Sequence, residues 1–277
     1  MKRVALPSGE TVAALGQGTW HIGDDPQRRE EEIAAIRRGI DLGLTLIDTA
    51  EMYGDGRSET LVGAAIEGRR DEVFIVTKVY PQHASRRAMP VACNDSLLRL
   101  RIETIDLYLL HWPGQVPLAE TVQAFEALQR EGKIRHWGVS NFDPALMKTL
   151  HDVPGGAAAQ TDQVLYNLGR RGVEWDLLPW LRQQRMPAMA YSPIEQGRLL
   201  KKRGLVEFAK QQAMTPAQVA IAWLLAQDGV IAIPKTGRRE RLEENAGALA
   251  HWLTPAHLRE LDLLFAPPKG PSSLAMI

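Results

Sequence analysis

The chain's 277 residues match the ~250 of a single β/α barrel, and its 33 basic and 33 acidic side chains leave a formal net charge of zero. That balance provides no global field for nucleic acid or anionic lipid, so any anion site must be local. One cysteine, Cys93, excludes an intrachain disulfide, and no apolar run approaches the ~18 residues of a membrane span. The basic start Met1-Lys2-Arg3 reaches Ser8-Gly9-Glu10 before any apolar segment develops. These features predict a cytoplasmic chain that meets neither nucleic acid nor membrane.

In chain order, a hairpin is predicted over Arg3–Leu15, turning at Pro7-Ser8-Gly9. Eight strand-like runs follow at Leu15–Thr19, Thr45–Thr49, Val73–Val79, Ile105–His111, His136–Ser140, Ala158–Gln163, Ala188–Ser192 and Val230–Pro234. Helical periodicity fills the gaps, as in Arg28–Leu42, Ser58–Arg69, Leu118–Glu131, Asp143–Leu150, Glu174–Gln184, Thr215–Gln227 and Arg239–Ala248. Several of these helices open on a capping residue or a proline.

Strands joined by helical crossovers form either an open doubly wound sheet or a closed barrel. The first usually carries G-x-G-x-x-G after its first strand, and Gly16-Gln17-Gly18-Thr19-Trp20-His21 does not fit that pattern. The fold class is therefore α/β, a (β/α)8 TIM barrel with an N-terminal β-hairpin. A last helix over Thr254–Phe265 and the tail Ala266–Ile277 fall outside the eightfold pattern. No linker or low-complexity stretch divides the chain, which predicts one domain over residues 1–277.

A barrel of this kind presents its chemistry at the C-terminal ends of its strands. Asp48 ends the second strand, Tyr53 follows in its loop, Lys78 ends the third and His111 ends the fourth. Each alone has an ordinary structural role available: cap, packing, solvated charge, hydrogen-bonded ring. Together they are coherent. Asp48 would neutralise Lys78, whose ammonium would lower the Tyr53 phenol pKa from its usual ~10 and make it a usable acid. His111 would orient a carbonyl oxygen. None of the four can supply a hydride, so a cofactor is required.

Over essentially its whole length the sequence resembles the aldo-keto reductase family, and most closely its compact bacterial members. The resemblance rests on Gly16-Gln17-Gly18-Thr19-Trp20, Asp48-Thr49-Ala50-Glu51-Met52-Tyr53-Gly54, Thr77-Lys78, Asp106 to Pro113, Gly138-Val139-Ser140-Asn141-Phe142 and Ile233-Pro234-Lys235, in family order. It implies that Asp48, Tyr53, Lys78 and His111 form a catalytic tetrad and that the cofactor is NADPH/NADP+. Gly18, Thr19, Trp20 and Asp48 would border it. Ser140, Asn141 and Gln163 would hold its carboxamide, with Tyr191 and Ser192 beside the nicotinamide. Lys235, Thr236 and Arg241 would bind the 2′-phosphate, and Glu244 and Asn245 the adenine. The sequence departs from the family pattern at Gly237, which is followed by Arg238 and Arg239.

Trp20, Tyr53, Tyr80, His111 and Trp112 would bind substrate, with His21 and the tail residues Ser272–Ile277 nearby. The loop Trp112–Pro117 is short, which points to an open site for small, polar carbonyls, and the resemblance to the compact bacterial members implies substrates such as methylglyoxal, diketones or keto-sugar acids. Two rival readings are an NADPH-binding redox sensor with weak turnover and a metal-dependent hydrolase using Asp48 and His111. The second lacks a further histidine at a neighbouring strand end, since His136 begins its strand. The partner is then a small-molecule carbonyl, with no metal, and the chain is read as a monomer.

Overall fold

A computed structural model describes residues 2–277. The predicted hairpin is formed by β1 (Arg3–Ala5) and β2 (Thr11–Ala13), antiparallel with Val4 opposite Val12. The barrel strands are β3 (Gln17–Gly18), β4 (Leu46–Asp48), β5 (Phe74–Val79), β6 (Ile105–Leu110), β7 (Ile134–Ser140), β8 (Asp162–Leu165), β9 (Ala188–Tyr191) and β10 (Val230–Ala232). Each is parallel to its sequence neighbour, in the order β3 to β10.

The helices are α1 (Arg29–Asp41), α2 (Arg57–Ala65), α3 (Met89–Leu100), α4 (Leu118–Arg130), α5 (Pro144–Asp152), α6 (Leu177–Gln183), α7 (Arg203–Gln211), α8 (Pro216–Ala226), α9 (Arg239–Gly247) and α10 (Pro255–Leu264). Three of them start from the same local signal. Asp143, Thr215 and Thr254 each accept a backbone N–H from three residues on, and proline follows as the first helical residue. Such caps satisfy donors that the helix cannot, at about 1 kcal/mol each.

Every residue of β5 and β6 is buried, as parallel strands covered on both faces require. Inside the helical layer Tyr108, Phe125 and Trp137 pack ring against ring, the last two stacked at 5.1 Å. Several predicted bounds differ from those observed: β3 and β10 are shorter than their predicted runs, α6 starts at Leu177 rather than Glu174, and β7 starts at Ile134, so that His136 is its third residue and not its first. The sixth strand begins at Asp162 rather than at Ala158, because the small residues Gly156–Ala158 wind into a 3-10 turn. The crossover between the third and fourth strands, unnamed in the sequence reading, is α3.

The sheet closes on itself. Leu15 bridges Ala232 and Gly18 bridges Lys235 in parallel, and the Gly16 and Gly18 amides donate to Ala232 and Pro234 at 2.9 and 3.0 Å. At the floor, the hairpin's Glu10 accepts both Arg135 Nη2 contacts at 2.7 and 2.8 Å and lies 2.7 Å from His136 Nε2. His136 therefore sits at the end of the barrel opposite the strand termini that carry Asp48 and His111. At the seam a Cβ on Gly18 would come within 2.8 Å of the Ile233 carbonyl oxygen. Gly18→Ala is expected to cost about 1–3 kcal/mol through forced separation of β3 from β10, read as a lower urea midpoint at unchanged slope.

Candidate active site

Register fixes the centre of the site. Asp48 pairs with Val76, so Lys78, two residues further along β5, projects from the same face of the sheet. Lys78 is fully buried, and its Nζ lies 2.8 Å from Asp48 Oδ2, 2.8 Å from the Thr49 carbonyl and 3.1 Å from Tyr53 Oη. All three ammonium protons thus have acceptors. The other carboxylate oxygen, Asp48 Oδ1, accepts from Gln163 Nε2 at 2.7 Å.

From Gln163 the hydrogen bonding continues around the rim. The Ser140 hydroxyl and the Asn141 amide both donate to the Gln163 carbonyl, at 2.8 and 2.9 Å. Asn141 Nδ2 reaches the His111 carbonyl and Ser140 Oγ at 3.1 Å, and Tyr191 Oη donates to Asn141 Oδ1 at 2.9 Å. Asn141 holds this position with a left-handed φ of 61°, a conformation asparagine tolerates better than most residues. Ser192 is likewise left-handed, at 49°. Thr19 donates to the Asp48 carbonyl at 2.9 Å, tying the first strand's loop to the second.

The aromatic residues form a second line. Tyr53 stands edge-on to His111 at 5.8 Å, His111 meets Trp112 at 4.8 Å, and Trp112 stands edge-on to Tyr80 at 5.7 Å. Trp20 is exposed, its ring tilted against that of His21 at 4.3 Å. The tail segment Ser272–Ala275 lies against the loop Gly169–Gly172 after β8 and borders a cavity of about 220 Å³ with it.

Protonation follows from burial. His111 loses its charged form because burial, with Lys78 nearby, pushes its pKa down to about 2. Burial also depresses the Lys78 ammonium, but Asp48 and Tyr53 outweigh it and the net shift is upward. The Tyr53 phenol moves up, not down. Burial around its hydroxyl exceeds the pull of Lys78, which corrects the expectation of a lowered phenol pKa.

Where β10 ends, Lys235 is half-buried, and burial holds its ammonium below the usual lysine range. Glu32 opposes that shift, while Arg28 and Arg241 reinforce it. Thr236 Oγ1 accepts the Arg238 amide at 3.1 Å, Arg241 is exposed, and Asn245 is buried beside half-buried Glu244. Arg239 turns to Glu243 at 3.2 Å. Gly237 is explained by packing, since a Cβ there would lie 2.8 Å from Glu32 Oε1.

Comparison with known proteins identifies the family. The model of the "Aldo/keto reductase family" matches residues 14–265. The chain belongs to the aldo/keto reductase family. It is 48% identical to the methylglyoxal reductase YeaE of Escherichia coli, covering all of this chain and 99% of that protein. A crystal structure of an aldo/keto reductase from Klebsiella pneumoniae in complex with NADP and acetate superposes with a TM-score of 0.98 at 47% identity, covering 100% of this chain and 99% of that one. A second crystal structure, of an aldo-keto reductase from that organism in complex with NADPH, gives 0.97 at 47% identity with the same coverage.

In this aldo/keto reductase the structure brings Asp48, Tyr53, Lys78 and His111 together, and Ser140, Asn141, Gln163 and Tyr191 into one connected row. Sequence reasoning had no signal for the Gln163–Asp48 bond, whose partners are 115 residues apart. It also passed over Ser58, whose hydroxyl links Thr19 and Thr49 at 2.8 and 3.1 Å. Asp48→Asn and Lys78→Met are each expected to cost about 3–5 kcal/mol by stranding the partner charge, whereas the double replacement recovers a large share of that loss. Urea denaturation of the three variants measures the coupling, and strictly additive losses would refute it.

Proposed function

We propose that this chain reduces small aldehydes, ketones and α-dicarbonyls to alcohols with NADPH, using Tyr53 as the general acid. The observation that carries the reading is the fully buried Lys78 ammonium, 3.1 Å from the Tyr53 hydroxyl and balanced by Asp48. The whole of residues 1–277 is taken as one barrel domain that acts as a monomer in the cytoplasm.

The residues present fit a phosphorylated dinucleotide. Lys235, crowded by Arg28 and Arg241, is a half-buried cation held below its usual pKa, and a phosphate would relieve that crowding. Thr236, Arg241, Glu244 and Asn245 would complete the adenosine end, and Ser140, Asn141, Gln163 and Tyr191 the nicotinamide end, with Gly18, Thr19, Trp20 and Ser192 alongside. When bound, the cofactor supplies a hydride to the carbonyl carbon.

The chain's own residues manage the oxygen. Tyr53 donates its proton to the developing alkoxide, and neutral His111 donates a second hydrogen bond without repelling a cationic neighbour. Lys78 stabilises the phenolate that Tyr53 leaves behind, and Asp48 keeps Lys78 in place. Tyr80, Trp112 and the exposed Trp20 border a mouth fit for short substrates. The methylglyoxal reductase relative supports α-dicarbonyls as the first class to assay, with keto-sugar acids next.

Tyr53→Phe is expected to lower methylglyoxal reduction by at least ~10²-fold while NADPH affinity stays within a few-fold, measured by cofactor consumption and fluorescence titration. Parent-like turnover refutes the assignment. The phenol's raised pKa keeps the acid form through the ordinary tyrosine value of 10.0, and His111 near 2 leaves no imidazole inflection in the neutral range. The reduction rate should therefore hold level across neutral pH and fall only above pH 10; an inflection of His111 near its ordinary value of 6.5 contradicts this. For the cofactor, Arg241→Ala should weaken NADPH roughly 10- to 150-fold and NADH little, since a charge-assisted bond is worth about 1.5–3 kcal/mol. Equal weakening of both makes Arg241 structural.

A further inference from the structure

Glu51 is a buried acid for which the reduction chemistry has no use. It lies two residues before Tyr53, in the loop that leaves β4, yet its side chain serves the loop that leaves β5. Its Oε1 accepts the Tyr80 amide at 2.6 Å and lies 3.1 Å from His83 Nδ1. Its own amide donates to the Lys78 carbonyl at 3.3 Å, so the loop after β4 is tied both to β5 and to the loop that follows it. The ladder bonds of β5 to its neighbour end at the Val79 carbonyl, which accepts from His111. Tyr80, the next residue, thus takes its backbone partner from a side chain.

What Glu51 holds is the substrate wall. The Tyr80 ring stands edge-on between His83 at 5.7 Å and Trp112 at 5.7 Å, and Trp112 in turn packs on His111 at 4.8 Å. A buried N–H that loses its acceptor must find another or move. Removing the Glu51 oxygen would therefore displace Tyr80 and loosen the wall, while the Lys78–Asp48–Gln163 bonds on the other side of the loop keep their partners.

We propose that Glu51 is a positioning residue for the carbonyl substrate: with His83 it clasps Tyr80 and so fixes the Tyr80–Trp112 wall beside His111. The proposal rests on the carbonyl-reductase reading above. It assigns Glu51 an effect on substrate affinity that is separate from cofactor binding and proton transfer.

The test compares the parent with Glu51→Ala and Glu51→Gln. Readouts are methylglyoxal kinetics, NADPH titration and amide hydrogen exchange over residues 80–84. Glu51→Ala should raise KM at least ~10-fold and speed exchange of that segment at least ~10-fold, with kcat and NADPH affinity within ~3-fold. Glu51→Gln, whose amide oxygen can still accept from Tyr80, should restore KM to within ~3-fold of the parent. Parental KM and exchange in Glu51→Ala overturn the proposal. So does a parallel fall in kcat and NADPH affinity, which marks a general structural role, or a Gln variant as impaired as the Ala variant. If Glu51→Ala does not fold, Glu51→Asp, one methylene too short to reach Tyr80, decides by the same criteria. A parent that reduces no carbonyl defeats the functional reading instead, and the exchange comparison alone then accepts or rejects the clasp.

Discussion

An ammonium group with no access to water persists only where its charge is matched and its protons are accepted, and Lys78 meets both conditions. Asp48 matches the charge. The Thr49 carbonyl and the Tyr53 hydroxyl accept the remaining protons, and Gln163 satisfies the carboxylate's other oxygen. The pair therefore specifies where β4, β5, the loop after β4 and β8 must end relative to one another. Slipping β5 by a single residue would turn Lys78 to the opposite face and leave Asp48 buried without its cation. The same constraint that orders the barrel's upper rim also places a phenol beside a fixed positive charge.

The alternation of strands and helices was readable because buried parallel strands are short apolar runs and their crossovers show helical period. Asp48, Lys78 and His111 were readable for a related reason: charged and polar groups at the ends of apolar runs are anomalous and invite pairing, and Tyr53 joined them from the loop after Asp48. Contacts between distant strands carry no such local trace, which is why Gln163 could be named as a site residue but not as the partner of Asp48. The direction of the Tyr53 shift was misjudged because the sequence shows which charge is near but not how much protein surrounds the hydroxyl. The late start of β8 was hard to read because the stretch Gly155–Ala159 is all glycine and alanine, and Thr161 is the one β-branched residue just ahead of Asp162.

Gly237 shows how a departure from a family pattern can be a packing matter. Glu32, buried on α1, accepts the Gly23 amide at 2.9 Å and lies 3.7 Å from Arg28, whose Nη2 donates to the Gly237 carbonyl at 3.3 Å. A side chain at 237 would collide with this carboxyl group. The basic character after β10 is therefore tempered by an acid from α1. Arg239 is paired with Glu243, and Arg241 is the cation of that turn whose charge acts on Lys235.

The barrel's seam is slight: β3 is two residues long and β10 three, and of its two bridges, Leu15–Ala232 and Gly18–Lys235, the second lies nearer the upper rim. Gly18 sits where the first strand passes Asp48, and Lys235 opens the cationic turn. A molecule long enough to touch both would lie across the join and bind the closed form in preference to any form with the seam parted. Ligand binding and resistance to unfolding would then be thermodynamically linked, with the gain growing as the logarithm of ligand concentration over its dissociation constant. Proteolytic lifetime would follow the same curve, so that survival of the chain would report the saturation of its groove.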